Sequence, residues 1–472
     1  MKINRFMIAA PKSGSGKTMI TCALLQLLRD SGKNVLSYKC GPDYIDPMFH
    51  KKVLGVSSKN LDTFFTDEKT TVQLFLDERA DGDFVVLEGV MGLYDGLGGI
   101  YEQGSSYHLA KVTQTPIILV VDAKGMGKSV LALIAGFLQY DTHHLIKGVL
   151  LNRMSKGYYD IIKPLIEKEL SVKVVGYFPE QKDIVLSSRH LGLVMPDELS
   201  DIKKQLNETA DRLKKTIDMD LFIDIAEAAD EIGDSGSADK DKRQTLKNAE
   251  LMRLQGQNNT VNIAVAMDEA FCFYYEDNLK LLEKCGAKLQ YFSPLHDTEL
   301  PDNCDALLLG GGYPELYAKE LSENISMRKS IKTAFEAGLP TVAECGGFMY
   351  LHTYIHNQNC VFDMTGVLGG WCRFKEKLVR FGYIELEEKH SNFLPSDEKI
   401  RAHEFHYYDS TDNGTDCIAT KPATGRKYDC VISRDNYWLG FPHIYYPSNP
   451  HFAENFVKKA QEYERNKFET NK

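Results

Sequence analysis

No two of the ten cysteines stand in C-x-x-C spacing, so the sequence offers neither a zinc ribbon nor the disulfide framework of a small secreted protein. They read instead as reduced, mostly buried small hydrophobes. Excess basic charge is also missing. Lysine and arginine number 56 against 66 aspartates and glutamates, a formal net charge of −10. That balance disfavours nucleic acid and anionic membrane as partners and favours a small-molecule substrate. No apolar run is long enough to cross a bilayer. The segment Phe6–Ala10 is too short for a signal-sequence core and runs straight into a glycine-rich loop. It reads as the first buried strand of a cytoplasmic protein. Internal repeats and coiled-coil heptads are absent as well. What the 472 residues do carry is 43% hydrophobic side chains, ample for two or three domains.

Apolar runs alternate with helical patterns through the first half, at Phe6–Ala10, Asn34–Tyr38, Phe84–Leu87, Ile117–Val121, Gly148–Leu151 and Lys173–Gly176. Such alternation predicts an α/β fold, a parallel sheet with helices on both faces. From Ala229 to Thr260 the periodicity lapses, and Gly233–Arg243 is a polar, solvated run. A second alternating series comprises Val261–Ala266, Lys288–Phe292, Ala306–Leu309 and Pro340–Ala343, and turns β-rich from Met364 to Ile432. The expected organisation is a nucleotide-binding domain over 1–228, a linker over 229–260 and a second α/β domain over 261–472.

After the first strand comes Pro11-Lys12-Ser13-Gly14-Ser15-Gly16-Lys17-Thr18. In such a loop, backbone N–H groups around Gly14 and Gly16 cradle phosphates, the Lys17 ammonium reaches their outer oxygens, and the Thr18 hydroxyl is placed for magnesium. Pro11 replaces the first glycine of the full motif, and Lys12 gives the K-x-G-x-G-K-T form of deviant Walker loops in dimeric ATPases, which leaves a homodimer open. Asp43 and Asp46 bracket a Pro-punctuated loop after the second strand, where α/β sheets bind ligands. They suit magnesium or a phosphoryl acceptor, and equally suit capping of local turns. Glu88 ends a buried strand at the Walker-B position, beside Thr18 and Asp43 as a magnesium candidate, and is followed by a loop carrying Asp95. Asn152 ends another strand with a polar group suited to an adenine edge.

In the second half, Leu339–Ala343 leads into Glu344-Cys345-Gly346-Gly347, a strand, sharp turn and helix with cysteine at the turn. A thiol at a helix N-terminus is expected to favour its thiolate, and the glycines let a carbonyl approach the backbone. Gly310-Gly311-Gly312 after a strand is the expected oxyanion loop, with N–H groups from Gly311 and Gly346. The candidate base is His443, with His403 and His406 as rivals. Strand-end glycines, nucleophile turn and distal histidine occur in the order presented by class I glutaminases.

Seven segments in order, Gly41–Pro47, Leu87–Gly96, Arg189–Leu193, Ala270–Tyr275, Gly310–Glu315, Glu344–Gly347 and His403–His406, resemble those of cobalamin-pathway glutamine amidotransferases, the cobyrinate a,c-diamide synthase family. The resemblance covers almost the whole chain. It implies an N-terminal amide synthetase domain similar to dethiobiotin synthetase, and a C-terminal class I glutaminase with a Cys345–His443 pair. The implied activity is ATP-, magnesium- and glutamine-dependent amidation of the a and c carboxylates of cobyrinate or hydrogenobyrinate through acyl phosphates. Asp46 and Asp95 are thereby assigned to positioning the acceptor carboxylate. A related family acting on nickel-sirohydrochlorin shares nearly all these motifs and stands as the alternative. A regulatory P-loop ATPase would leave Cys345 and His443 without purpose. This chain departs from the family at Lys12, where small or hydroxyl residues are usual, and at Tyr445, where a second histidine is common. No third acid that would orient His443 is legible.

Overall fold

The computed structural model describes residues 2–77, 84–181, 199–232, 260–357 and 360–470. The segments Arg189–Leu193 and Gly233–Arg243 singled out above lie outside the described residues. The chain divides into two compact units, Met1–Gly236 and Ser237–Lys472.

The first unit is built on seven parallel strands: β1 (Asn4–Ala9), β2 (Val35–Cys40), β3 (Ser57–Leu61), β4 (Phe84–Glu88), β5 (Ile117–Asp122), β6 (Ile146–Asn152) and β7 (Lys173–Phe178), in the order β3-β2-β4-β1-β5-β6-β7. Strand alternation sends Met7, Leu87, Leu119 and Val121 into one core. Phe6, Ile8, Val86 and Val120 enter the core on the opposite face. With both faces covered, the strands read as continuous apolar runs. The chain leaves β1 toward β2, then passes from β4 across β1 to β5. The loops after β1 and β4 therefore face one another at the point where strand order reverses, the usual ligand edge of such sheets. Helix α1 (Lys17–Asp30) starts directly at the glycine-rich loop, and α2 (Ile45–Leu54) follows β2.

The first unit also extends past the expected start of the linker. Ala229 and Ile232 are buried, Ile232 in the core beneath the sheet. The buried Arg5 guanidinium donates to the carbonyls of Ile3, Thr113, Gln114 and Asp230, tying this segment to the N-terminal strand.

In the second unit, β8 (Val261–Ala266), β9 (Phe271–Phe273), β10 (Ala287–Phe292), β11 (Ala306–Leu309), β12 (Gly311–Gly312) and β13 (Thr341–Glu344) precede the β-rich part. The main sheet runs β10-β8-β11-β13, then Tyr437–Gly440 and Ile432–Arg434, parallel except for the last pair. Strands β9 and β12 form a small antiparallel ladder. A five-stranded antiparallel sheet includes Arg380–Glu388, Lys399–His406 and His443–Ile444, and so brings the candidate base in from a different sheet than the nucleophile. Among the described residues, no helix is long and apolar enough to cross a membrane.

Candidate functional site

At the phosphate-loop end of the first unit, parallel register sets Lys39 of β2 directly beside Glu88 of β4. The Lys39 Nζ donates to Glu88 Oε1 at 2.8 Å and also pairs with Asp46, which lies in the first turn of α2. All three side chains are buried. Burial works against the Lys39 charge, yet Asp46 and then Glu88 hold its pKa well above the ordinary value. Burial likewise opposes ionisation of Asp46, and Lys39 overrides it, keeping that carboxyl below its usual range. Glu88 goes the other way: burial, then the charge of Asp46, push it up to about 7. The neutral His50, drawn down to about 4 by burial, sits behind Glu88 with Nε2 at 3.7 Å from Oε2 and Nδ1 at 3.0 Å from Ser37 Oγ.

Thr18 Oγ1 donates to Glu88 Oε1 at 2.7 Å, and Glu88 Oε2 is buried with no hydrogen-bond partner. A hydroxyl and a carboxylate at the foot of a phosphate loop are the hard oxygen donors magnesium takes together with phosphate oxygens. Among the described residues, no three His, Cys, Asp or Glu side chains converge as a metal cage. Asp43, the third expected ligand, is instead turned back on its own loop, with Oδ1 accepting from the Ile45 N–H at 2.8 Å. Burial, then Asp46, raise its pKa.

Gly16 adopts φ 92°, the left-handed region that glycine tolerates, and a Cβ there would collide with the Asn152 amide. Asn152 is thus not presented as an adenine edge. Its Nδ2 donates to Ser15 O at 2.7 Å and its Oδ1 accepts from the Arg153 N–H at 2.9 Å, so both ends of the amide are committed to bracing the loop. Gly14 is also left-handed, and its carbonyl accepts from Arg153. Lys17 is pulled down to about 8 by burial first and by Lys39 next, against Glu88, Asp46 and Asp95. Its Nζ donates to the carbonyls of Met91 and Lys12. Asp95 caps its own turn, accepting from the Gly92 N–H at 3.0 Å, while contributing its charge at Lys17.

In the second unit Cys345 holds φ 47° and ψ −102°, a strained conformation for a residue with a side chain. The strain is over-determined from both sides. The Cys345 N–H donates to Gly440 O at 2.8 Å, and its carbonyl accepts from Met349 N–H at 2.9 Å. Gly347 N–H bonds Gly310 O at 2.9 Å, and a Cβ at Gly347 would overlap Leu309 O. A Cβ at Gly346 would come within 2.9 Å of Pro314 Cδ and 3.1 Å of Gly312 N. Only glycines allow this approach of nucleophile turn and glycine loop. The Gly310 N–H is occupied by Tyr274 Oη at 2.7 Å, while the Gly346 N–H is directed at the Cys345 sulfur.

His443 packs on the same loop: a Cβ at Gly311 would fall on its ring. Cys345, Gly346, Gly311 and His443 are therefore brought together. Asn278 fixes the strand that carries the histidine, donating to Ile444 O at 2.7 Å and accepting from Tyr446 N–H at 2.8 Å. Tyr445, in place of the family's second histidine, donates to Asp277 at 2.7 Å. An acid that the sequence reading did not single out stands near the histidine: Glu344, the residue before the nucleophile, has its Oε2 3.9 Å from His443 Nδ1, beyond hydrogen-bond distance.

The expected thiolate is not what this geometry gives. Burial raises the Cys345 pKa far above that of a free thiol, with Glu315 adding to it and the Gly346 N–H opposing. The helix behind it is short, Gly346–Leu351, and burial outweighs its N-terminus. Burial also lowers His443 to about 3 and raises Glu344 to about 8, so burial works against charge on each of these groups. Of the rival bases, His406 stacks on Phe441 with centroids 4.0 Å apart and bonds Tyr408 O, a structural role. His403 stands beside His443 in register, with its ring against Phe381 and Tyr383.

Residues 262–449 match the CobB/CobQ-like glutamine amidotransferase domain family, and residues 6–194 match the CobQ/CobB/MinD/ParA nucleotide binding domain family. Curated relatives named cobyrinate a,c-diamide synthase include one from Listeria innocua, 36% identical over 95% of this chain and 97% of the relative. Another, from Caldanaerobacter subterraneus subsp. tengcongensis, is 38% identical over 93% and 94%. A third, from Clostridium tetani, is 36% identical over 96% and 99%. The chain belongs to the cobyrinate a,c-diamide synthase family. It is an enzyme that joins a nucleotide-binding domain to a glutamine amidotransferase domain, as the sequence resemblance implied.

Two consequences are measurable. Lys39→Met leaves two carboxylates buried without their cation and should lower unfolding free energy by about 3–5 kcal/mol at neutral pH. Adding Glu88→Gln should recover part of that loss; an unchanged denaturation midpoint in the single variant contradicts the network. For Cys345, peptide mapping after iodoacetamide treatment of the substrate-free enzyme should show alkylation still accelerating through about pH 9, as expected of a buried thiol. A plateau near neutral pH would restore the thiolate.

Proposed function

We propose that this enzyme converts the a and c side-chain carboxylates of cobyrinate or hydrogenobyrinate into amides, at the expense of ATP and glutamine. The observation that carries the reading is the conjunction, in one chain of this family, of a braced phosphate loop beside Thr18 and Glu88 with a strained cysteine beside a neutral histidine. The shared name of the relatives supports the substrate.

A carboxylate carbonyl is too electron-rich to accept ammonia, so one of its oxygens first attacks the γ-phosphorus of ATP, forming an acyl phosphate and releasing ADP. The loop N–H groups and Lys17 neutralise charge on the moving phosphoryl group. Thr18 and Glu88 would hold magnesium, which supplies positive charge at the phosphate oxygens when bound. Asp46 and Asp95 ring the same end of the sheet and orient the acceptor. Ammonia then displaces phosphate from the acyl carbon.

Ammonia is mostly protonated in water, so it is released locally. As Cys345 sulfur bonds to the amide carbon of glutamine, His443 takes the thiol proton, and the N–H groups of Gly311 and Gly346 stabilise the developing oxyanion. The proton passes from His443 to the departing nitrogen. Water then cleaves the thioester to glutamate and restores the thiol. A neutral resting pair fits this order, because charge separates only when the substrate amide is present to use it.

Mass spectrometry of products formed from cobyrinate, hydrogenobyrinate and nickel-sirohydrochlorin with ATP and glutamine tests the substrate; diamide from the nickel compound alone would overturn it. Cys345→Ala should abolish glutamine-dependent amidation and leave ammonium-dependent amidation within about threefold. Loss of both in a folded variant contradicts the division of labour. Asp46→Asn and Asp95→Asn should cut amide yield by roughly 100-fold or more while ATP affinity changes little. If each only lowers the melting temperature, the two aspartates are structural.

A further inference from the structure

Glu315, Glu344 and Glu404 all exert their charge on the Cys345 thiol, and their surroundings differ. Glu344 is fully enclosed, bonded by the Ile444 N–H and set toward His443. Glu404 is fully buried and already satisfied by Tyr428, Arg380 and Lys421. Glu315 closes the glycine loop, and only part of it is shielded from solvent. Its backbone is pinned, with the carbonyl accepting from Asn357 Nδ2 at 2.8 Å, and the preceding Pro314 packs against Gly346 of the nucleophile turn. Its carboxyl has no cation against it among the described residues.

An anionic group held at the edge of a desolvated site without a counter-charge costs free energy unless a ligand brings one. Burial pushes this carboxyl up to about 7. A glutamine whose amide carbon meets Cys345 carries its α-ammonium only a short side chain away, and Glu315 follows directly on the Pro314 that packs against the nucleophile turn. We propose that Glu315 is the residue that binds the α-ammonium of glutamine and so selects this amino acid over other primary amides. The inference rests on the Cys345 glutaminase reading above.

The test measures ammonia release by the full chain, in the presence of ATP and the tetrapyrrole, from glutamine and from its des-amino analogue 4-carbamoylbutanoate. Glu315→Gln should raise the KM for glutamine by about 10- to 100-fold with kcat within about threefold, and leave the analogue's kcat/KM unchanged. Glu315→Asp should regain part of the lost affinity, and ammonium-dependent amidation should stay at the parent level in both variants. An unaltered glutamine KM, or equal losses on glutamine and analogue, would overturn the assignment. Cys345→Ala run alongside separates the two claims: residual glutaminase in that variant refutes the nucleophile, whereas its absence with normal glutamine KM in Glu315→Gln refutes only the ammonium site.

Discussion

The Lys39 ammonium is the interaction on which the nucleotide-binding unit turns. A carboxylate at the end of a central strand, with apolar cores on both faces, cannot stay there without a cation. Lys39 supplies it from the adjacent strand and at the same time fixes the first turn of α2 through Asp46. Thr18, at the start of α1, closes on the same carboxylate. Two helices and two strands are thus referenced to one buried charge cluster, and the phosphate loop lies over it. The cluster that ties these elements together sits at the point of strand-order reversal, beside the phosphate loop.

The glutaminase unit meets the same problem by the opposite route. Burial works against charge on Cys345, His443 and Glu344 alike: it favours a protonated thiol, an uncharged imidazole and a carboxyl shifted toward its acid form. What is stored is backbone strain at Cys345, held by hydrogen bonds to Gly440 and Met349. Strain aims the sulfur without charging it. One unit therefore holds a buried ion cluster beside its phosphate loop, whereas the other buries its cysteine and histidine without a counter-charge.

Continuous apolar runs made six of the seven strands of the first sheet legible, because strands covered on both faces leave no polar alternation to confuse the reading. The strand β3 was not legible. Its sequence Ser57-Ser58-Lys59-Asn60-Leu61 looks like a loop, and its burial rests on side-chain partnerships such as Asn60 Nδ2 with the carbonyls of Gly41 and Asp43. In the sites, glycines and the cysteine were readable because local conformation demands them. Lys39, Glu344, Tyr274 and Asn278 were not, since each acts through a partner chosen by register or by a distant segment. The thiolate expectation failed for a related reason: a helix N-terminus can be read from sequence, whereas the burial that outweighs it depends on Pro314 and the glycine loop closing over the turn.

The central claim is that the two units divide one amidation into carboxylate activation and ammonia supply. Activation is tested most directly with cobyrinate carrying a heavy-oxygen label in its side-chain carboxylates, amidated in unlabelled water with ATP and glutamine. Phosphorus NMR of the orthophosphate formed should show the label accumulating in step with amide, because the oxygen that attacks ATP leaves with the phosphate. Amide formed alongside unlabelled orthophosphate would contradict the acyl phosphate and, with it, the role given to the phosphate loop.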